Sequence, residues 1–127
     1  MLSLGFDQIN RLYTHLILLL YVFKFVTSDE PPRITTVPKD QTVIAGKVAN
    51  FVCVASGHPK PDIIWRKNGK RLVTQRFSAI DMPNGSVLRI EPVRASKDNA
   101  TYECWAENGV GEPVRAQATL SIISGNF

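Results

Sequence analysis

Asp98-Asn99-Ala100-Thr101-Tyr102-Glu103-Cys104, read with Cys53 and Trp65 upstream, decides the fold of this 127-residue chain. A cysteine sits in the middle of each of two extended segments, and a tryptophan follows the first by twelve residues. Two sheets packed face to face need such an arrangement: one cysteine from each sheet meets across the core, and the indole lies against the bridge. Tyr102, two residues before the second cysteine, stands where a buried ring can send its hydroxyl back to upstream backbone and fix a corner. Closing a loop of about fifty residues removes roughly 4 kcal/mol of unfolded-state entropy in the chain model, so the Cys53–Cys104 bridge is structural rather than redox-active.

These positions point to an all-β, immunoglobulin-like two-sheet sandwich with one inter-sheet disulfide. The composition agrees. Apolar residues make up 44% and charged residues 20%, an ordinary globular balance, and the length suits one domain. Two cysteines with no Cys/His spacing exclude a zinc site and imply an oxidising compartment. Residues 1–28 read as a secretory signal peptide: Arg11 and His15 precede the apolar run from Leu16 to Phe23, and small residues at Val26 and Ser28 suit a peptidase. Lys24 interrupts that run before it reaches the ~20 apolar residues of a spanning helix, so no membrane span is expected in this chain. Losing Arg11, Lys24 and Asp7 with the signal takes the net charge from +4 to +3. The expected location is extracellular, either secreted or at the cell surface as part of a longer receptor.

Along the remainder, Asp29 to Pro38 is expected as extended edge strand or linker, with residues 29–33 taken as a short N-terminal linker, 34–123 as the domain and 124–127 as a C-terminal tail. Ala49, Phe51, Cys53 and Ala55 alternate onto one face, followed by Ile63 and Trp65, Leu88 and Ile90, Ala106, and Ala118, Leu120 and Ile122. Gly and Pro punctuate the turns between short strands taken to be antiparallel throughout, and no helix of note is expected. Asn68-Gly69 tolerates positive φ at both central positions and predicts a tight type I′ hairpin.

Catalytic equipment is scarce. His58, in a proline-rich turn, is the only histidine past the signal, and no phosphate loop, carboxylate pair or metal spacing occurs. The chain is therefore expected to be no enzyme and to need no cofactor or metal. A binding module is the class that remains, and charge placement suggests where. Successive antiparallel connections alternate between the two ends of a sandwich, which gathers Lys47, Lys67, Lys70, Arg71, Arg94 and Lys97 at one end. From Arg66 to Arg76 there are five basic residues and no acidic one. Such a cluster on a secreted domain suits a sulfated polyanion, through charge-assisted bonds and counterion release. Nucleic acid would satisfy the same charges but occupies the wrong compartment. A solvated hairpin tip is the plainer reading of the same residues. Asn84-Gly85-Ser86 and Asn99-Ala100-Thr101 are N-glycosylation acceptors at expected turns. Arg76 and Asp98 repeat a pairing found in many immunoglobulin-type domains and are expected to be structural.

The stretch from Pro31 to Ile123 resembles the first immunoglobulin domain, of the I-set type, of LAR-type receptor protein tyrosine phosphatases. The resemblance rests on Pro31-Pro32-Arg33, Pro38-Lys39-Asp40-Gln41, Phe51-Val52-Cys53, Pro59-Lys60-Pro61, Gln75-Arg76-Phe77, Val87-Leu88-Arg89-Ile90-Glu91-Pro92 and Tyr102-Glu103-Cys104. It implies a neuronal receptor domain that binds heparan and chondroitin sulfate proteoglycans and adhesion proteins, in axon guidance or synapse adhesion. Carried over by position, the glycosaminoglycan-binding residues are Lys67, Lys70, Arg71, Arg94 and Lys97. Asn68 departs from the lysine usual in the family. The competing expectation is a structural or homophilic adhesion domain that uses its sheet faces, with the cations incidental.

Overall fold

The computed structural model describes residues 4–25, 28–72 and 75–125. Val26 of the expected peptidase site and Asn126 and Phe127 of the expected tail lie outside them. Helix α1 (Leu4–Phe25) holds the apolar run, with every residue from Gly5 to Tyr21 exposed. No helix among the described residues is long and apolar enough to cross a membrane.

Among the described residues nine strands follow: β1 (Glu30–Thr36), β2 (Gln41–Ile44), β3 (Ala49–His58), β4 (Asp62–Lys67), β5 (Lys70–Arg71), β6 (Phe77–Met82), β7 (Gly85–Ile90), β8 (Ala100–Glu107) and β9 (Val114–Ile123). A single helical turn, α2 (Ala95–Asp98), stands before β8. One sheet runs β1-β3-β7-β6 and the other β2-β9-β8-β4-β5. Period-two alternation carries the core, since successive side chains on a strand point to opposite faces. Ala49, Phe51 and Cys53 of β3 meet Trp65, Tyr102, Cys104, Ala118 and Leu120 from the facing sheet, and all eight are buried. The Cys53–Cys104 bridge joins the sheets across a Cα–Cα distance of 6.4 Å. Beside it, Trp65 donates its indole N–H to the buried Ser86 hydroxyl at 3.0 Å. Tyr102 donates to the Asp98 carbonyl at 2.8 Å, the corner bond its position implied.

Two expectations need correction. Of the edge strand or linker expected over 29–38, the edge strand is present and takes in residues 30–33 of the expected linker: β1 begins at Glu30, pairs with β3, and buries Pro32. Proline fits because β1 is an edge strand, and irregular register between Glu30 and Arg33 absorbs the missing donors. Secondly, the strands are not all antiparallel. β2 runs parallel to β9, with Gln41 opposite Leu120 and Ile44 opposite Ile123. The chain leaves one sheet after β1 and crosses to the other, where Asp40 Oδ1 accepts the Thr119 N–H at 2.8 Å and holds the crossing in place. Val93, in the connection between β7 and α2, is buried in the core.

Candidate ligand-binding pole

Three connections meet at one end of the sandwich. The β4–β5 hairpin turns in two residues, Lys67 pairing with Lys70, and positive φ at Asn68 (49°) and Gly69 (80°) gives the type I′ geometry that the dipeptide predicted. Asn68 then ties this tip to β8: its N–H donates to the Thr101 carbonyl at 2.8 Å, and its Oδ1 accepts the Thr101 N–H at 3.1 Å. The turn before β3 is joined to the segment before α2, where Val93 N–H donates to the Lys47 carbonyl and Gly46 N–H to the Val93 carbonyl, both at 2.9 Å. The Lys67 ammonium reaches across to the Lys97 carbonyl. Convergence of the three turns, inferred from topology alone, is thus present as hydrogen bonds.

Asp98 is the hub of this end. Its carboxylate is fully buried, takes a bidentate pair from Arg76 at 2.6 and 2.9 Å, and accepts the Arg94 N–H at 2.7 Å. Arg76 also donates to the Pro92 carbonyl at 3.2 Å. Burial by itself would raise the Asp98 carboxyl, but the Arg76 guanidinium and Arg94 N–H bonds, with the Arg76 and Lys67 charges, hold it below the usual carboxylate range. The hydrogen bond to Asp98 likewise raises Arg76. Burial pushes the Tyr102 phenol up, so it stays a neutral donor to the corner.

Around this frame lies an open depression of about 480 Å³ whose polar lining is Lys67, Asn68, Lys70, Arg71, Arg76 and Lys97. Of the five residues carried over from the resemblance, Lys67, Lys70, Arg71 and Lys97 line it, and Arg94 stands on the adjoining turn. They are not equivalent. Lys70, Arg71, Arg94 and Lys97 are exposed and form no ion pair with any described residue, while Lys67 is half-buried and spends one donor on the Lys97 carbonyl. Arg76 touches the depression but is held by Asp98. Lys47 joins through its backbone and is absent from the lining.

Asn68 is the residue that sequence reasoning undervalued. Counted as a missing cation, it is a clamp that stiffens the hairpin, and the Asn-Gly pair was its signal. Asn68→Ala loses the side-chain bond from Thr101 N–H and leaves alanine, without the short polar side chain that eases left-handed backbone, at a φ of 49°, for a combined cost of about 1–2 kcal/mol. Asn68→Gly is expected to recover the backbone part only, and urea denaturation of the two variants separates the contributions.

Two further features were unforeseen, one on a sheet face and one at the end of α2 beside the pole. On the outer face of the second sheet, the Arg66 and Arg115 guanidinium carbons lie 4.4 and 5.5 Å from the Trp105 ring centroid, and Trp105 Nε1 donates to Glu103 at 2.8 Å. The sequon residue Asn99 is wired into the fold, donating to the Ala95 carbonyl at 2.9 Å and accepting the Ile122 N–H at 2.7 Å. No group of His, Cys, Asp or Glu among the described residues could hold a metal ion.

The immunoglobulin domain profile matches residues 31–108. The chain is similar to the tyrosine-protein phosphatase Lar of Drosophila melanogaster, 51% identical over 104 residues that make up 80% of this chain and 5% of that protein. It is similar also to the receptor-type tyrosine-protein phosphatase F of Danio rerio, 46% identical over 114 residues, 87% of this chain and 6% of that protein. The chain therefore spans about a twentieth of the length of these relatives. Among solved structures, the tandem Ig repeats of Dlar superpose with a TM-score of 0.74 at 50% identity, covering 77% of this chain and 51% of that one. Titin domain M7 superposes with a TM-score of 0.71 at 31% identity, covering 76% and 98%.

Proposed function

The chain belongs to the immunoglobulin-domain family, as an immunoglobulin domain of the LAR-type receptor protein tyrosine phosphatases, and from that premise we propose that it is an extracellular ligand-binding module that captures sulfated glycosaminoglycan, as carried by heparan sulfate proteoglycans. Phosphatase chemistry is no part of the matched stretch. The observation that carries the reading is the pole itself: three exposed cations that form no ion pair with any described residue, Lys70, Arg71 and Lys97, line one depression, exposed Arg94 stands on the adjoining turn, and the acid built into the frame is buried and already paired. Sulfate groups spaced along a chain would meet Lys70, Arg71, Arg94 and Lys97 without competition from that carboxylate. Because the hairpin is clamped through Asn68 and the α2 turn through Asp98, little ordering entropy is spent on binding. Residues 1–28 would direct the domain to the secretory route and be removed there.

The test is heparin chromatography of wild type against the Lys70→Glu/Arg71→Glu double variant. Each cation lost should take about one unit from the slope of log affinity against log salt, so the variant is expected to elute at sharply lower salt. Both side chains are exposed and outside the core, so the melting temperature should hardly move. Unchanged elution removes the basis for the reading.

A protein ligand is a second reading, favoured by Trp105 between Arg66 and Arg115. Aromatic and arginine side chains are the types enriched at the centres of protein interfaces, and here Arg115 is exposed while Trp105 and Arg66 are half-buried. This face is continuous with the hairpin through the cross-strand pair Arg66 and Arg71.

A further inference from the structure

Pro83 and Asn84 form the turn between β6 and β7, at the end of the sandwich away from the basic pole, where Lys60 lies beside the turn and donates to the Met82 carbonyl at 3.5 Å. The fold accounts for the two residues after Asn84. A β-carbon on Gly85 would lie 2.3 Å from the Cys53 carbonyl oxygen, and the buried Ser86 hydroxyl accepts the Trp65 indole. Nothing accounts for Asn84 itself. It is exposed, its side-chain amide has no hydrogen-bond partner among the described residues, and its backbone is not in the left-handed region that would favour asparagine. Only its carbonyl is used, accepting the Ala55 N–H at 2.9 Å. Asn84 is thus an acceptor side chain free of structural duty at the head of an acceptor tripeptide.

The sheet beside it leaves an apolar row uncovered. Register places Ile80, Val87 and Val52 directly opposite one another on β6, β7 and β3, with Met82, Gly85 and Val54 as the next row toward the Asn84 turn. Leu88, Ile90, Phe51 and Cys53 point into the core, so Val87 and Val52 point out. Ile80 is 50% and Val52 40% exposed. Contiguous aliphatic surface of this kind on a secreted domain calls for a cover. From Asn84 to Val87 is three residues, about 10 Å of strand, which a pair of linked sugar rings spans. Their N-acetyl methyl groups and C–H faces supply the apolar side of the contact.

We propose that Asn84 carries an N-linked glycan whose inner N-acetylglucosamine residues lie over the Ile80–Val87–Val52 row. The glycan covers the outer face of the first sheet and leaves the basic pole open. The inference depends on secretion but not on glycosaminoglycan binding. It is tested on the full chain expressed in a glycosylating secretory host, with material recovered from the medium so that entry into the secretory route is read separately. Intact mass should show an N-glycan lost in Asn84→Gln, and the Ile80 methyl resonance should show cross-relaxation to sugar protons. Enzymatic removal of the glycan should displace that resonance and increase dye binding to exposed apolar surface, an increase that Ile80→Ser suppresses. Secreted, disulfide-bonded protein with an unmodified Asn84 overturns the proposal. So does a glycan on Asn84 without contact to Ile80, or a deglycosylated face that binds no more dye than before.

Discussion

Arg76→Ala is expected to destabilise the domain by about 3–5 kcal/mol, lowering the melting temperature by on the order of 20 °C for a domain this size. The cause is what the substitution leaves behind. Asp98 stays fully buried with its bidentate partner gone, keeping only the Arg94 N–H among its direct donors. The pH dependence distinguishes this from lost packing. In the wild type, the native carboxyl titrates below its unfolded value of ~3.9, so the unfolded state takes up protons first as pH falls. The stabilisation is complete at neutral pH and is lost as acid approaches the native value. In Arg76→Ala, burial dominates and raises the native carboxyl above the unfolded value, so the folded state takes up the proton first and the sign reverses. Melting temperatures of the two proteins should converge between pH 7 and pH 4. A gap constant with pH would mean that the carboxylate charge is not what the arginine holds.

Cys53→Ala/Cys104→Ala is expected to cost roughly 4 kcal/mol through the entropy restored to the unfolded chain. That is a large share of the 5–15 kcal/mol typical of a small domain. The alanines also leave the indole of Trp65 and the ring of Phe51 beside a smaller neighbour, so the entropic figure is a lower bound on the loss. Calorimetry should show a transition at least 15 °C lower, with the same far-ultraviolet signature at low temperature if the sandwich still forms. Near-identical melting of the two proteins would assign the stability to core packing alone.

The elements legible in advance were those written as local pattern. Alternation at Ala49, Phe51, Cys53 and Ala55 determined which face of β3 is buried, because a strand has a period of two whatever it packs against. Asn68-Gly69 encoded its hairpin because few residue pairs accept positive φ twice. The register of cysteine, tryptophan and tyrosine fixed the corner, the bridge and the two-sheet arrangement together. At the pole, the cations could be assigned to one end from strand alternation, but not sorted by duty.

What tertiary structure alone decided are the relations between segments remote in sequence. Whether Lys67 faces solvent or spends a donor on Lys97 depends on thirty residues of intervening chain returning to the same place. The parallel seating of β2 on β9 depends on a crossing between sheets that no local period records. The gathering of Trp105, Arg66 and Arg115, and the alignment of Ile80, Val87 and Val52, arise only once three strands are in register. Backbone preference acts over a few residues and is readable from them, whereas pairing, burial and charge compensation are properties of surfaces that exist only after the chain has folded.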